Sequence, residues 1–145
     1  MNPLLRNILS IIAGTLLATA IMFLLEMAYA KMATLPPGVS VADLKDPLKA
    51  KAAMAQMPTS AFIGILVIYA FSTFAGGITA TLCAGKTSVV PALIMGLILM
   101  VSGIMDGVQM GEPMWFMVAM SAIFLIFSWL GFSVVKNKRP KTAVS

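Results

Sequence analysis

The sequence predicts an all-α integral membrane protein, with four transmembrane helices in an antiparallel bundle and a short outer amphipathic helix. Three observations lead there. Of the 145 residues, 60 % are apolar, the mean hydropathy is +0.99, and only ten basic and five acidic residues are present. A soluble domain is about 45–50 % apolar and about 25 % charged. A helix needs about 20 apolar residues to cross a bilayer, so this composition supplies about four spans. Finally, the apolar residues fall in continuous runs, not in the alternation of barrel strands, and a helix alone satisfies its own backbone in lipid.

The first span covers about residues 7–28, interrupted only by Asn7 near its start and Glu26 near its end. Arg6, the apolar run and Ala28-Tyr29-Ala30 together imitate a secretory signal with a cleavage site. The run is longer than a usual signal core and Glu26 sits close to that site, so a membrane helix is the expectation. An outer loop follows at 29–59. Leu35-Pro36-Pro37-Gly38 is a turn signal, and Asp46-Pro47 reads as an N-cap with proline at the first helical position. Leu48 to Met57 then interleaves apolar residues with Lys49 and Lys51, an amphipathic helix ended by Pro58. It is a strap over the bundle or a docking helix for a partner.

The second span, about 60–84, carries no charge. Gly85-Lys86-Thr87-Ser88 turns the chain into the third, about 89–108. Gly111-Glu112-Pro113 reverses it into the fourth, about 114–135, which is again uncharged. No soluble domain fits in what remains, so residues 1–145 form a single domain. Basic residues set the orientation. Arg6, Lys86, Lys136, Lys138, Arg139 and Lys141 fall on one side. Lys31, Lys45, Lys49 and Lys51 fall on the other, in one loop. The larger group marks the cytoplasmic side, with both termini, of a bacterial inner membrane. Trp115 and Trp129 are placed to anchor the fourth helix at its two interfaces.

Small residues recur at spacing four: Ser10, Gly14 and Ala18 in the first span, Ser72, Gly76 and Ala80 in the second, Gly103 and Gly107 in the third. Such stripes let helices approach closely in lipid, within one chain or between chains. The first stripe continues through Met22 to Glu26, which aims this carboxylate into the bundle. A carboxylate within a span is a functional candidate by default. The topology gathers Glu26, Asp106 and Glu112 at the outer ends of their helices, within reach of Lys31. This cluster is either an entry site for a cation or proton, or an interfacial salt-bridge network. The helix interiors offer hydroxyls and Tyr69 but no charged relay toward the inner side, which argues against an autonomous pump.

Several chemistries are excluded or weak. There is no histidine, which removes bis-His haem, His-bound zinc and a His base. The one cysteine, Cys83, allows no intrachain disulfide or thiolate cluster. No cofactor is expected, and no nucleophile–base pair or metal set points to an enzyme. A net charge of +5, thinly spread, does not make a nucleic-acid-binding face. Thirteen methionines are many, and thioethers bind Cu(I), but Met is equally an adaptable core filler.

Pro36-Pro37-Gly38-Val39, the Asp43–Ala50 segment, Phe62 and Pro113-Met114-Trp115-Phe116 leading to Trp129-Leu130-Gly131 resemble a family of small four-span bacterial membrane proteins. It is common in Bacteroidetes-type genomes and has no established activity. The resemblance spans roughly residues 4–133. It implies the four-span fold and adds no chemistry. The family's second span often carries a His where this chain has Tyr69. Its fourth carries an Asp where this chain has only apolar or small residues near Ala119–Ser121. The expected function is therefore non-enzymatic: a structural or accessory subunit packing with itself or other membrane chains in the bilayer. The alternative is a small oligomeric cation or proton channel or transporter built on the acidic cluster.

Overall fold

The computed structural model describes residues 1–85 and 88–138. Its helices are α1 (Pro3–Met32), α2 (Pro47–Gln56), α3 (Thr59–Cys83), α4 (Val90–Met110) and α5 (Met114–Asn137), with a 3-10 turn at Asp43–Lys45. The described residues contain no strand. α1, α3, α4 and α5 are each long and apolar enough to cross a membrane. The chain is thus an all-helical bundle of the multi-pass membrane type. Lys86, Arg139 and Lys141, on which the expected orientation partly rests, lie outside the described residues.

Local chemistry sets the helix ends. The Asn2 side chain accepts the Leu4 N–H at 3.0 Å, Pro3 occupies the first turn and Lys31 sits in the last. These caps carry α1 beyond the expected 7–28 at both ends, since a bilayer limits the apolar stretch and not the hydrogen-bonded helix. Asp46 accepts the Leu48 N–H at 3.0 Å and starts α2 as expected. Gly111, with φ +71°, closes α4 in the left-handed conformation that glycine adopts without strain.

Contacts fix the directions. Gly14 of α1 lies against Gly76 and Ala80 of α3, while Tyr29 near the other end of α1 donates to the Ala61 carbonyl at 3.3 Å. α1 and α3 therefore run antiparallel. Phe62 and Phe116 rings approach to 5.1 Å, and Gly77 lies against Ser128, so α3 and α5 run parallel. Gly96 meets Ser128 and Gly107 meets Met117, making α4 and α5 antiparallel. α3 packs on α1, α4 and α5, whereas α1 and α5 do not meet. Going round the bundle the order is α1–α3–α5–α4. Chain-adjacent spans alternate in direction, and the ring closes through a second parallel pair, α1 with α4. The residues between α1 and α3 form a strap at one end. Both described termini lie at the other end, where the Arg6 guanidinium packs on Gly85.

Candidate functional site

Under the strap, α1 and α4 separate around a cavity of about 400 Å³. Its wall draws Thr15, Thr19, Met22, Phe23 and Glu26 from α1, Tyr69 from α3, and Ile98, Leu99, Ser102, Gly103, Asp106 and Met110 from α4. Glu112 and Phe124 complete it. A second cavity, about 210 Å³, lies directly beneath the strap and is roofed by Leu35, Leu44, Met54 and Met57. Glu26, Tyr69, Met110 and Glu112 line both, so these four residues form the partition between them.

Each acid reaches the cavity for a local reason. Glu26 lies on the Ser10-Gly14-Ala18 face of α1, whose small residues are buried against α3. Asp106 projects from the last turn of α4 and is exposed at the cavity's edge. Glu112 depends on two glycines. The Gly111 turn brings the Glu112 N–H back to the Gly107 carbonyl at 2.9 Å. Its carboxylate then folds over α4, so that a Cβ on Gly107 would stand 2.7 Å from the Glu112 Oε2. An alanine at 107 would displace the acid. Tyr69 lines the same cavity, and its ring stacks on Phe124 with centroids 5.4 Å apart.

Electrostatically the cavity is one-sided. No basic residue lines it among the described residues. The one salt bridge among the described residues, Lys49 to Asp43 at 3.2 Å, belongs to the strap. Lys31, expected as a partner of the acids, is exposed and forms no ion pair among the described residues. Burial, then the charges of Asp106 and Glu26, push the Glu112 carboxyl up to about 7. Asp43 shows the opposite case. The Ser40 N–H and hydroxyl, with Lys49 beyond, hold it down to about 2. The acids are nevertheless dispersed, and no group of three acidic, His or Cys residues among the described residues is placed to hold a metal ion.

Hydroxyls extend the site into the bundle. Ser10, Thr79, Thr81, Ser121 and Ser128 each donate to a carbonyl of their own helix, the usual solution in an apolar interior. Thr15 Oγ1, at the deep end of the cavity, is shielded and has no partner among the described residues; Ser72 Oγ and Thr73 Oγ1 are alike in this. Beyond Thr15 the path is filled. Cβ atoms added at Gly14 and Gly76 would stand 3.1 and 2.9 Å from the Met95 sulfur.

The small-residue stripes lie at contacts within the chain. Gly14, Ala18, Gly76 and Ala80 form the α1–α3 seam, Ser10 and Ser72 are buried, and Gly103 and Gly107 pack on Met120, Phe124 and Met117. Sequence reasoning missed the closest approaches on α5. A Cβ on Gly131 would stand 2.7 Å from the Phe74 carbonyl, and Gly77 and Gly96 crowd Ser128. The only signal for these approaches in the sequence is Ser128 and Gly131, a small pair three residues apart and so on one helix face. Tyr69, read only as a lone polar group, is the second omission. Trp115 is half-exposed and meets Phe62 edge-on at 5.9 Å, while Trp129 faces outward. The methionines disperse: Met95 and Met120 are core, Met105 and Met114 face outward. Comparison with known protein families, curated proteins and solved structures finds no match to this chain.

Proposed function

We propose that this chain is a non-enzymatic integral membrane protein that takes a cation into the cavity between α1 and α4. The strap then faces the outer side and both termini the cytoplasm of a bacterial inner membrane, as the basic residues and the family resemblance suggest. One observation carries the reading. Three carboxylates from separate elements line a single cavity that has, among the described residues, no basic residue in its wall. Anionic charge in a low-dielectric cleft attracts a proton or a counter-cation, and no basic side chain among the described residues lines the cavity to neutralise it. Thr15 is the residue of the lining furthest toward the termini, and Met95 is buried beside Gly14 and Gly76, so the reading is of a binding site, not of a continuous pore.

Infrared spectroscopy of the purified chain tests this. Adding methylammonium or sodium between pH 5 and pH 8 is expected to shift the carboxylate bands. The shift should be lost in a Glu26→Gln, Asp106→Asn double variant that still folds. Unshifted bands with both cations would remove the proposal.

The reading of an accessory subunit draws on a different observation. Thr19, Ser102 and Asp106 are exposed along the α1–α4 cleft, where a bilayer gives polar groups no partner. A neighbouring chain covering this strip predicts a larger assembly after mild detergent extraction. A monodisperse single chain counts against it.

A further inference from the structure

We infer that the cavity takes an amphipathic organic cation, an alkylammonium that enters sideways between α1 and α4. Its head lies among Glu26, Asp106 and Glu112, and its chain along Met22, Phe23 and Leu99. This deepens the cation-site reading above and rests on it.

Size comes first. About 400 Å³ falls within the roughly 300–1,000 Å³ of small-molecule sites, against the ~30 Å³ share of a water molecule. A bare metal ion would leave most of this space to water against Leu99 and Phe124. Among the described residues no group of three acidic, His or Cys side chains is placed to hold such an ion. Dispersed carboxylates suit a bulky head whose charge is spread over several carbon–hydrogen surfaces.

The rest of the wall agrees. The stacked Tyr69–Phe124 pair lines the cavity, and aromatic walls together with carboxylates are the chemistry that recognises substituted ammonium groups. Polarity is graded along the cavity. The three acids lie at the strap end, the level of a headgroup region, and Met22, Phe23, Ile98 and Leu99 border it further in. Phe23 is 61 % exposed and Ile98 40 %, so the mouth opens on the bundle's apolar perimeter. An amphiphile held in the outer leaflet has its charge and its chain at matching depths.

Native mass spectrometry of the full chain released from maltoside micelles tests this, with tetramethylammonium and decyltrimethylammonium as probes. One decyltrimethylammonium per chain is expected, bound at least about tenfold more tightly than tetramethylammonium. Thr19→Trp, which narrows the mouth without altering a carboxylate, should weaken the decyl probe and spare the methyl one. The Glu26→Gln, Asp106→Asn variant should weaken both. Displacement of the decyl probe by phosphatidylethanolamine would assign the native ligand to a lipid headgroup, and its persistence to a free amine; both keep the assignment. Equal affinity for the two probes would overturn the amphiphile and leave the cation site standing. Loss of both probes in Thr19→Trp would overturn sideways entry. No binding of either probe, together with unshifted carboxylate bands, would remove both readings.

Discussion

In the half of the bundle that holds the termini, the helices meet backbone to backbone. In the half beneath the strap, α1 and α4 stand apart around an acid-lined cavity. The first half is made of residues with little or no side chain: Gly14, Gly76, Gly77, Ala80 and Gly131. The second is made of Met, Phe, Tyr and carboxylates. Close approach in lipid yields dispersion contacts over long stretches of backbone, and it is available only where nothing projects. Larger groups hold the helices open. The tightest backbone-to-backbone packing and the acid-lined cavity thus lie toward opposite ends of the same four helices.

This comparison can be broken at its strongest point. Gly131→Leu inserts a side chain against the Phe74 carbonyl and the Ile78 nitrogen, which cannot move aside. A loss of about 3 kcal/mol is expected in detergent unfolding. Gly103→Ala, by contrast, meets the flexible Met120 side chain and the Phe124 ring, both at 3.0 Å, and should cost under about 1 kcal/mol. Similar losses at the two positions would erase the distinction between the halves.

The pH dependence probes the open half. The Glu112 carboxyl lies at about 7 in the folded chain against an ordinary 4.5. Between those values the unfolded chain has released a proton that the folded chain retains, so stability should fall as pH rises from about 4.5 to about 7. Because the site is partly open to water, about 1 kcal/mol is expected, not the full shift. Glu112→Gln should flatten the slope. A slope rising with pH over this range would contradict the placement of Glu112 beside Asp106 and Glu26.

A smaller effect sharpens the boundary between the halves. Thr15→Val removes a shielded hydroxyl that has no partner. Unfolding should show a change of no more than about 1 kcal/mol, neutral or stabilising, since no hydrogen bond is lost. A marked destabilisation would mean that the hydroxyl is bonded after all. The smallest effect lies in the strap. Asp43→Asn weakens its turn with Ser40 and Lys49, all at the surface. Amide exchange of residues 40–49 should quicken, with no measurable change in global unfolding. In the parent chain, Asp43 is held near 2 against an ordinary 3.8. The turn should therefore be fully supported above about pH 4, weaken progressively as pH falls below 3.8, and lose this support as pH falls through about 2.

Much of this architecture is legible in one dimension. Continuous apolar runs give the spans, because lipid leaves the backbone no choice but the helix. Asp46, Pro58, Gly111 and Pro113 mark ends, because caps and turns act within a few residues. Spacing four places Gly14 and Ala18 on one face with Glu26 further along it. What remained hidden depends on which helices become neighbours. Only the ring order α1–α3–α5–α4 sets α1 beside α4 and leaves room for a cavity, and only it brings Tyr69 and Phe124 to that wall. Likewise Lys31 is near Glu26 in sequence, yet forms no ion pair among the described residues. Helix formation and capping are local, and the sequence alone determined them. The choice of partner faces is a competition among distant surfaces. The span order already puts Glu26, Asp106 and Glu112 at one level, and tertiary packing alone decided that they line one cavity with Tyr69 and Phe124 and without Lys31.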